Sequence, residues 1–488
     1  MNTLSKTQIE GYILKSKIFP YLIVFSIAVI LRIVPEILAF PYPIGYDVIN
    51  YYLPVMMNFE TYWHTIANQF PFYVSLLYVI SEVLHIDPRI VISGSIVLIF
   101  GFFSLTILSI GKHLFRLDNL QSIFLSVFVI FQLAVLRTSW DLHKDMFALT
   151  LVFFSLLLIS KIPNLSRKLI ALTATLSIIS VLADRMIGLL LILTLTGLSF
   201  VKKDTSLAIV SVIMILIFAL SLQANYDSIE YNLKMAGTNN SINAIYNPLN
   251  LIILFLVMNT IMLPSGIIGI IKSKLTIFKI PLFISFVGSF TWIIFPNTSA
   301  FLPDRWIVIF SIFLSLFSGY GFITLIENRR ITISKKKLAN YLIVIIPFIF
   351  LGSAFAVSPN GSYFNIYGAF HQFVGPYGPL TMQYNSISLT ESSSLLSTIN
   401  WINDDTNTAI GSVIMGSKHL RGWMELALKE RTFLFADNNT KLLESSQHGE
   451  LYLLELNSRQ ATAVPPNYLS ELTYSNTDFN LYKLKLIE

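Results

Sequence analysis

The chain has 488 residues, of which 54% are hydrophobic and only 12% are charged, and its mean hydropathy is +0.68. This composition excludes an ordinary water-soluble domain, because repeated apolar runs near 20 residues are what a hydrocarbon layer about 30 Å thick requires. The net charge of +6 requires no nucleic-acid partner, since cytoplasmic loops of membrane proteins collect Lys and Arg. Cysteine is absent, which excludes disulfides and thiol chemistry. We therefore predict an α-helical polytopic membrane protein.

The apolar runs predict about eleven transmembrane helices. A further apolar run, 70–86, is assigned to the outer interface, because counting it as a span would move several basic clusters outside, against the positive-inside rule. The N-terminus is then cytoplasmic, and the first external loop covers about 41–89. The predicted spans are 18–40, 90–111, 119–136, 145–160, 169–183, 186–201, 206–224, 249–271, 280–295, 306–325 and 340–357.

The character of the sequence changes after residue 357. Residues 1–357 are predicted to form the transmembrane domain, and 358–488 an extracytoplasmic C-terminal domain. In this second part "SLLSTINWI" and "GWMELALKE" indicate helices, whereas "AIGSVIMG" and "RTFLFAD" indicate strands, followed by "ELYLLEL" and "FNLYKLKLI". The alternation predicts a small α/β domain.

Acidic and basic side chains recur at the predicted outer ends of separate helices. Asp47 follows the first span, the second external loop reads "LRTSWDLHKDMFA", and the pairs Asp184/Arg185 and Asp304/Arg305 stand at later outer ends. Ionisable groups at membrane depth usually face a cavity or a partner. Each also has a simpler explanation, as a local ion pair, a helix-start acid or a turn-capping Asp. It is their recurrence on one side that favours a common site.

The layout resembles the GT-C superfamily of membrane glycosyltransferases, which includes protein O-mannosyltransferases, aminoarabinose transferases and archaeal relatives. "PIGYDVINYYLP" resembles the acidic motif of the first loop, with Asp47 in its place. "WDLHKDMFAL" resembles the second acidic element, with Asp141 or Asp145 matching, and "PFYVSLLYVI" resembles the first-loop helix. Two features depart from the pattern: the first motif has one acid instead of an Asp-Glu pair, and no WWDYG-like signature occurs.

The resemblance implies transfer of a hexose or pentose from a polyprenyl-phosphate donor, such as a dolichyl phosphate, to a protein, lipid or glycan acceptor outside the membrane. Asp47 would be the general base of an inverting reaction. Asp141 and Asp145 would be further catalytic carboxylates that orient a lysine, contact sugar hydroxyls or share a divalent metal with Asp47. A divalent cation such as Mg²⁺ or Mn²⁺ would be shared by Asp47 and Asp141, if there is one. The expected phosphate-binding residues are Arg185, Arg305, Lys144 and Arg137, and the expected sugar- or acceptor-lining residues are Tyr46, Tyr51, Tyr52 and His143.

Two other classes remain open at this point. A polytopic transporter or flippase for a lipid-linked or polar substrate would also carry charged residues at helix ends, although it usually shows repeats and mid-membrane charges. Here Arg32 and Glu36 in the first span are the exception to nearly charge-free span interiors. A membrane scaffold that binds a partner through its external domain is the other class. All three predict an integral protein, expected in the cell membrane.

Overall fold

The structure is a computed structural model, and it describes residues 18–45, 47–59, 72–161, 167–223, 248–294, 302–328, 334–357, 389–417, 420–435, 450–457 and 468–487. Within these ranges the chain is helical up to residue 357 and carries a five-stranded sheet after residue 389. The helices of the first part are α1 Phe19–Ala39, α2 Val48–Met57, α3 Phe72–Leu84, α4 Pro88–His113, α5 Asn119–Ile130, α6 Leu133–Asp141, α7 His143–Lys161, α8 Arg167–Ala183, α9 Arg185–Lys202, α10 Thr205–Gln223, α11 Pro248–Asn259, α12 Leu263–Lys272, α13 Thr276–Ser289, α14 Thr291–Ile294, α15 Pro303–Asn328 and α16 Ser334–Val357.

The helical part is that of an integral membrane protein. Among the described residues seven helices are long and apolar enough to cross a bilayer, and the number is nine if each of two bent pairs is one span. Two shorter apolar helices, Lys168–Ala183 and Ala339–Ser353, coincide with two further predicted spans. The count of eleven, like the sidedness and the interfacial position of α3, therefore stays a prediction.

Two spans predicted as continuous are broken. Between α5 and α6 the chain bends by 58°, and between α11 and α12 it bends by 69°. At the first break Gln132 donates its side-chain amide to Phe128 O at 2.7 Å, which satisfies a carbonyl that the bend removes from the helical pattern. The segment "LRTSWD", predicted as external loop, is helical instead and belongs to α6. Its residues are buried, and a helix provides the internal hydrogen bonds that buried backbone requires.

Helix α15 lies at the centre of the helical part and packs closely against α12. Small side chains allow this approach: an added Cβ at Gly269 or Gly321 would collide with a carbonyl oxygen of the facing helix. The hydroxyls of Ser265 and Ser318 are hydrogen-bonded at 2.6 Å across the same interface. This contact fixes the axis of α15, and therefore the position of Asp304 and Arg305 in its first turn.

The second part contains α17 Leu389–Asn403, β1 Val413–Gly416, α18 Arg421–Ala427, β2 Thr432–Phe435, β3 Leu451–Leu456, β4 Tyr468–Ser475 and β5 Phe479–Leu486. The sheet order is β2-β1-β3-β5-β4, with β1 parallel to both β2 and β3, and β5 antiparallel to both β3 and β4. The sequence signals correspond to every one of these elements except β4. That edge strand is mostly exposed, so it lacks the apolar signal of a buried strand.

Candidate active site

The acidic and basic residues converge at one end of the helical part. Asp47 immediately precedes α2, Asp145 lies in the first turn of α7, and Arg305 lies in the first turn of α15. Asp184 caps α9, and its carboxylate accepts a hydrogen bond from the Ile187 amide at 2.9 Å. A carboxylate at a helix N-terminus is stabilised by the free backbone amides there.

Two ion pairs join these helix starts to one another. Arg305 Nη1 lies 3.8 Å from Asp145 Oδ2, and Lys144 Nζ lies 3.5 Å from Asp184 Oδ2. The buried carboxyl groups of Asp145 and Asp184 also lie close enough for their charges to act on each other. The four side chains, which we call the acid–base cluster, therefore connect α7, α9 and α15.

Asp47 lies beside this cluster and is half-buried. Burial raises the pKa of the Asp47 carboxyl, while the positive charges of Arg305, Lys144 and Arg137 lower it in part. Three of the four basic residues predicted to bind phosphate thus act on the same carboxyl group. An acid with a raised pKa beside several cations is an arrangement typical of catalytic sites.

The predicted lining tyrosines occupy different environments. Tyr52 is 6% exposed. Its burial is the main cause of a raised pKa, and the nearby charges of Asp47 and Asp145 raise the pKa further, so Tyr52 stays a neutral phenol. Tyr51, in contrast, is 44% exposed. Tyr46 lies outside the described residues. Among the described residues the Tyr52 hydroxyl and Asp145 Oδ1 are buried without a hydrogen-bond partner, and such groups are typical of a site for a polar ligand.

Asp141 and His143 lie next to the break between α6 and α7. Asp141 is buried, and an added Cβ at Gly45 would lie 3.4 Å from its Cα, so the turn before Asp47 packs directly on this segment. His143 is buried and faces the first span, where its Nε2 lies 3.5 Å from Arg32 Nη2. His143 therefore contacts Arg32 of the first span, and its ring centroid is 6.2 Å from that of Tyr52.

A cavity of about 530 Å³ lies between α9, α10, α13 and α15. Its walls are almost entirely apolar, and Arg185, the first residue of α9, is the charged residue among its lining groups. Leu302 and Trp306 also line it, on either side of Arg305 in the chain. The cavity therefore adjoins the acid–base cluster.

The described part of the chain offers no cluster of metal ligands. Over the residues that the structure describes, no group of three or more His, Asp or Glu side chains is arranged to hold a metal ion. The cation site hypothesised from Asp47 and Asp141 thus gains no further ligands from this part of the chain.

No protein-family model and no curated protein sequence matches the chain. Among solved structures it resembles the aminoarabinose transferase ArnT from Cupriavidus metallidurans. In the apo state the TM-score is 0.55 at 14% identity, and in the complex with undecaprenyl phosphate it is 0.52 at 13% identity. Both alignments cover 96% of this chain and 98% of ArnT. The arabinofuranosyltransferase AftD from Mycobacteria aligns at TM-score 0.50 and 11% identity over 94% of this chain, which spans 40% of the length of AftD.

The chain has the GT-C fold. ArnT and AftD are both membrane glycosyltransferases of the GT-C superfamily, and the resemblance drawn from the loop layout is confirmed at the level of the fold. Identities of 11–14% support the fold alone, so the role of each side chain in this chain rests on its own geometry.

One member of the cluster was missed as a site residue in the sequence. Asp184 stands next to Arg185, which suggested a local pair, but it is ion-paired with Lys144 of another helix. An Asp directly before an apolar run, as Asp184 is before α9, is the sequence signal of a helix N-cap. Its carboxylate then lies at the N-terminal end of that helix.

Proposed function

We propose that this GT-C chain is a membrane glycosyltransferase that moves a hexose or pentose from a polyprenyl-phosphate donor to an acceptor on the extracytoplasmic side, with inversion. One observation carries the proposal. A carboxyl group with a raised pKa, Asp47, lies among three cations, and an apolar cavity with Arg185 in its lining adjoins the acid–base cluster. An acid, a set of cations and an apolar groove are the three features that this reaction requires.

Asp47 acts as the general base. The acceptor oxygen attacks the anomeric carbon while its O–H proton passes to the Asp47 carboxylate. The bond between that carbon and the phosphate oxygen breaks, and the electron pair leaves with the polyprenyl phosphate. A base works best when its pKa approaches the working pH, and burial shifts Asp47 in that direction.

The cations stabilise the phosphate as negative charge develops on it. Arg305 is engaged by Asp145 at 3.8 Å, a distance longer than a direct hydrogen bond, and its side chain is partly exposed. It can therefore turn toward an incoming phosphate, for which a guanidinium offers two parallel N–H groups. Lys144 is held in the same way by Asp184 at 3.5 Å. The two acids, Asp145 and Asp184, keep these cations in place before the donor arrives.

The apolar cavity receives the first isoprene units of the donor. Two of its lining residues on α13, Phe283 and Val287, are exposed at the surface of the helical part. Arg185 is the charged residue of this lining, so it would bind the phosphate there. The ArnT structure that carries undecaprenyl phosphate supports this class of donor.

The sugar lies between the cavity and α2. The buried hydroxyl of Tyr52 and Asp145 Oδ1 offer hydrogen bonds that no described protein group takes. A neutral phenol can donate and a carboxylate can accept, so together they suit sugar hydroxyls.

The experiment is a donor panel with the purified chain in lipid nanodiscs. Undecaprenyl- and dolichyl-phosphate hexoses and pentoses are offered with a peptide, a glycolipid or an oligosaccharide acceptor, and the released polyprenyl phosphate is measured by mass spectrometry. We expect release with at least one donor, reduced at least 10²-fold in Asp47→Asn. The matched control is Asp87→Asn in the same loop. The carboxylate of Asp87 is paired with Arg89 at 2.6 Å, so its replacement should not affect the rate. Equal rates in the two variants would exclude Asp47 as the base, and binding of the donor without any transfer would favour a flippase.

A further inference from the structure

The C-terminal domain contacts the segment that carries Asp47. Helix α18 lies on the first, π-helical turn of α2, Val48–Tyr52. The Gly422 amide donates a buried hydrogen bond to Asn50 Oδ1 at 2.8 Å. Asn50 follows Asp47 by three residues, so this bond lies one helical turn from the proposed base.

The approach of the two segments is as close as backbone permits. A Cβ added at Gly422 would lie 2.6 Å from Asn50 Cα and would collide with Ile49 O. Only glycine allows α18 to approach at this distance, because any other residue would force the two segments apart. The hydrogen bond and the absent side chain therefore act together to fix a single distance between α18 and α2.

Apolar packing surrounds this contact. The rings of Tyr42 and Trp423 are 5.0 Å apart between centroids, and Ile49 and Leu53 share one buried core with Met424 of α18. The core also includes Tyr52, so the domain extends its contact up to the candidate site. Aromatic and aliphatic contacts of this kind exclude water and strengthen the buried hydrogen bond.

The other side of the Asp47 segment is held by the helical part. Gly45 has φ +113°, and a Cβ there would lie 2.5 Å from Trp140 O, at the C-terminal end of α6. Gly45 is therefore held against α6, whereas Ile49 and Asn50 are held against α18. Asp47 lies between these residues in the chain, and its own position depends on both contacts.

We propose that Asn50 and Gly422 are positioning residues through which the C-terminal domain holds Asp47 at the acid–base cluster; this inference rests on the proposed function. The contact acts on the orientation of the base and not on donor binding, since neither residue lines the cavity. A base displaced by about 1 Å can slow a reaction about 10²-fold. The domain is therefore a part of the catalytic apparatus, and its removal from α2 is expected to reduce kcat.

The test uses the full chain in nanodiscs and the donor that proves active in the panel. Asn50→Leu removes the acceptor, and Gly422→Ala separates the two segments. We expect each to lower kcat about 10- to 100-fold with little change in the KM for the donor. Asn50→Asp keeps an acceptor oxygen and should recover most of kcat on the high-pH plateau. The matched control is Asn457→Leu, which removes hydrogen bonds to Asn476 O and Thr477 O elsewhere in the same domain and should leave kcat unchanged.

A second measurement does not depend on activity. Because the chain has no cysteine, Met57→Cys gives a single spin-label site at the end of α2, where Met57 is exposed. We expect the label to become more mobile in Asn50→Leu and in Gly422→Ala, and to be unchanged in Asn457→Leu.

The outcomes separate the two proposals. If the wild type transfers no sugar, the proposed function fails. If the mobility of the spin label is also unchanged in both variants, the positioning contact is overturned as well. If the wild type is active and the label becomes mobile while kcat stays the same, the positioning role is wrong and the proposed function stands. A parallel rise in the donor KM would equally refute a role confined to the base.

Discussion

The ion pair between Arg305 and Asp145 offers a direct measure of the acid–base cluster. The perturbation is a double-mutant cycle with Arg305→Gln, Asp145→Asn and both together. Removing Arg305 leaves Asp145 buried beside Asp184 with one cation fewer. Removing Asp145 leaves Arg305 with three remaining acidic neighbours, Asp47, Asp184 and Asp304. Arg305→Gln should therefore destabilise the protein, and it should destabilise it by less when Asp145 is already replaced by Asn.

The magnitude follows from the distance and the exposure. Two unit charges 3.8 Å apart attract by about 4 kcal/mol at an effective dielectric constant of about 20. The side chain of Arg305 is 27% exposed, and water screens part of this attraction. We therefore expect a coupling free energy of about 1–3 kcal/mol. The pair Lys144–Asp184 is shorter, at 3.5 Å, but Lys144 is 36% exposed and more strongly screened by water, so its coupling should be smaller.

The assay is reversible unfolding in mixed micelles with increasing mole fraction of dodecyl sulfate, followed by tryptophan fluorescence. Free energies of unfolding of wild type, both single variants and the double variant close the cycle. Additivity within about 0.5 kcal/mol would mean that Arg305 and Asp145 do not interact, and the convergence of α7 and α15 would then be wrong. A coupling larger for Lys144–Asp184 than for Arg305–Asp145 would contradict the ranking by exposure.

Three further predictions concern Asp47, the cavity and the helix packing. Because burial raises the pKa of Asp47, the folded state binds the proton of this carboxyl more tightly than the unfolded state does. Asp47→Asn should therefore raise the free energy of unfolding at neutral pH, and this gain should vanish below about pH 4. Unfolding measured at several pH values checks both statements. Val287→Trp should fill part of the apolar cavity and weaken undecaprenyl phosphate binding at least tenfold in native mass spectrometry, whereas Ile213→Trp, at an exposed position outside the cavity lining, should not. Gly321→Ala should destabilise the chain by about 1–3 kcal/mol, since its Cβ meets backbone of the facing helix, while Gly94→Ala, with no atom within 4 Å, should be neutral or stabilising.

The convergence of the charged residues could be predicted because membrane sidedness determines which surface of the membrane each helix end faces. Once basic loops are assigned to the cytoplasm, Asp47, Asp145 and Arg305 must lie at the same surface. Which residue pairs with which could not be predicted. Asp184 and Arg185 are adjacent in sequence, but a residue that caps a helix and the first residue inside it point in different directions, and the cap is paired with Lys144.

The breaks within the spans could not be predicted from the sequence either. An apolar run shows that a segment is buried, but its hydropathy is the same whether it continues straight or bends. Gln132 is the only polar side chain near the first break in "FVIFQLAVL", and it satisfies the backbone there by a local hydrogen bond. The contact between Asn50 and Gly422 joins residues 372 positions apart, and no local pattern carries information about such a pairing.

The charged pair inside the first span now has a structural explanation. Arg32 Nη2 is paired with Glu36 at 2.5 Å, and its Nε donates to Ser139 O at 3.1 Å, next to the point where α6 ends. Glu36 in turn accepts a hydrogen bond from Ser93 at 2.7 Å, which ties α4 to the same point. A buried ion pair contributes little net stability, so its presence in an apolar span is better explained by the geometry that it fixes. That geometry is the break between α6 and α7, from which Asp145 and Lys144 reach the acid–base cluster. A transporter with mid-membrane charges is therefore not needed to account for Arg32 and Glu36.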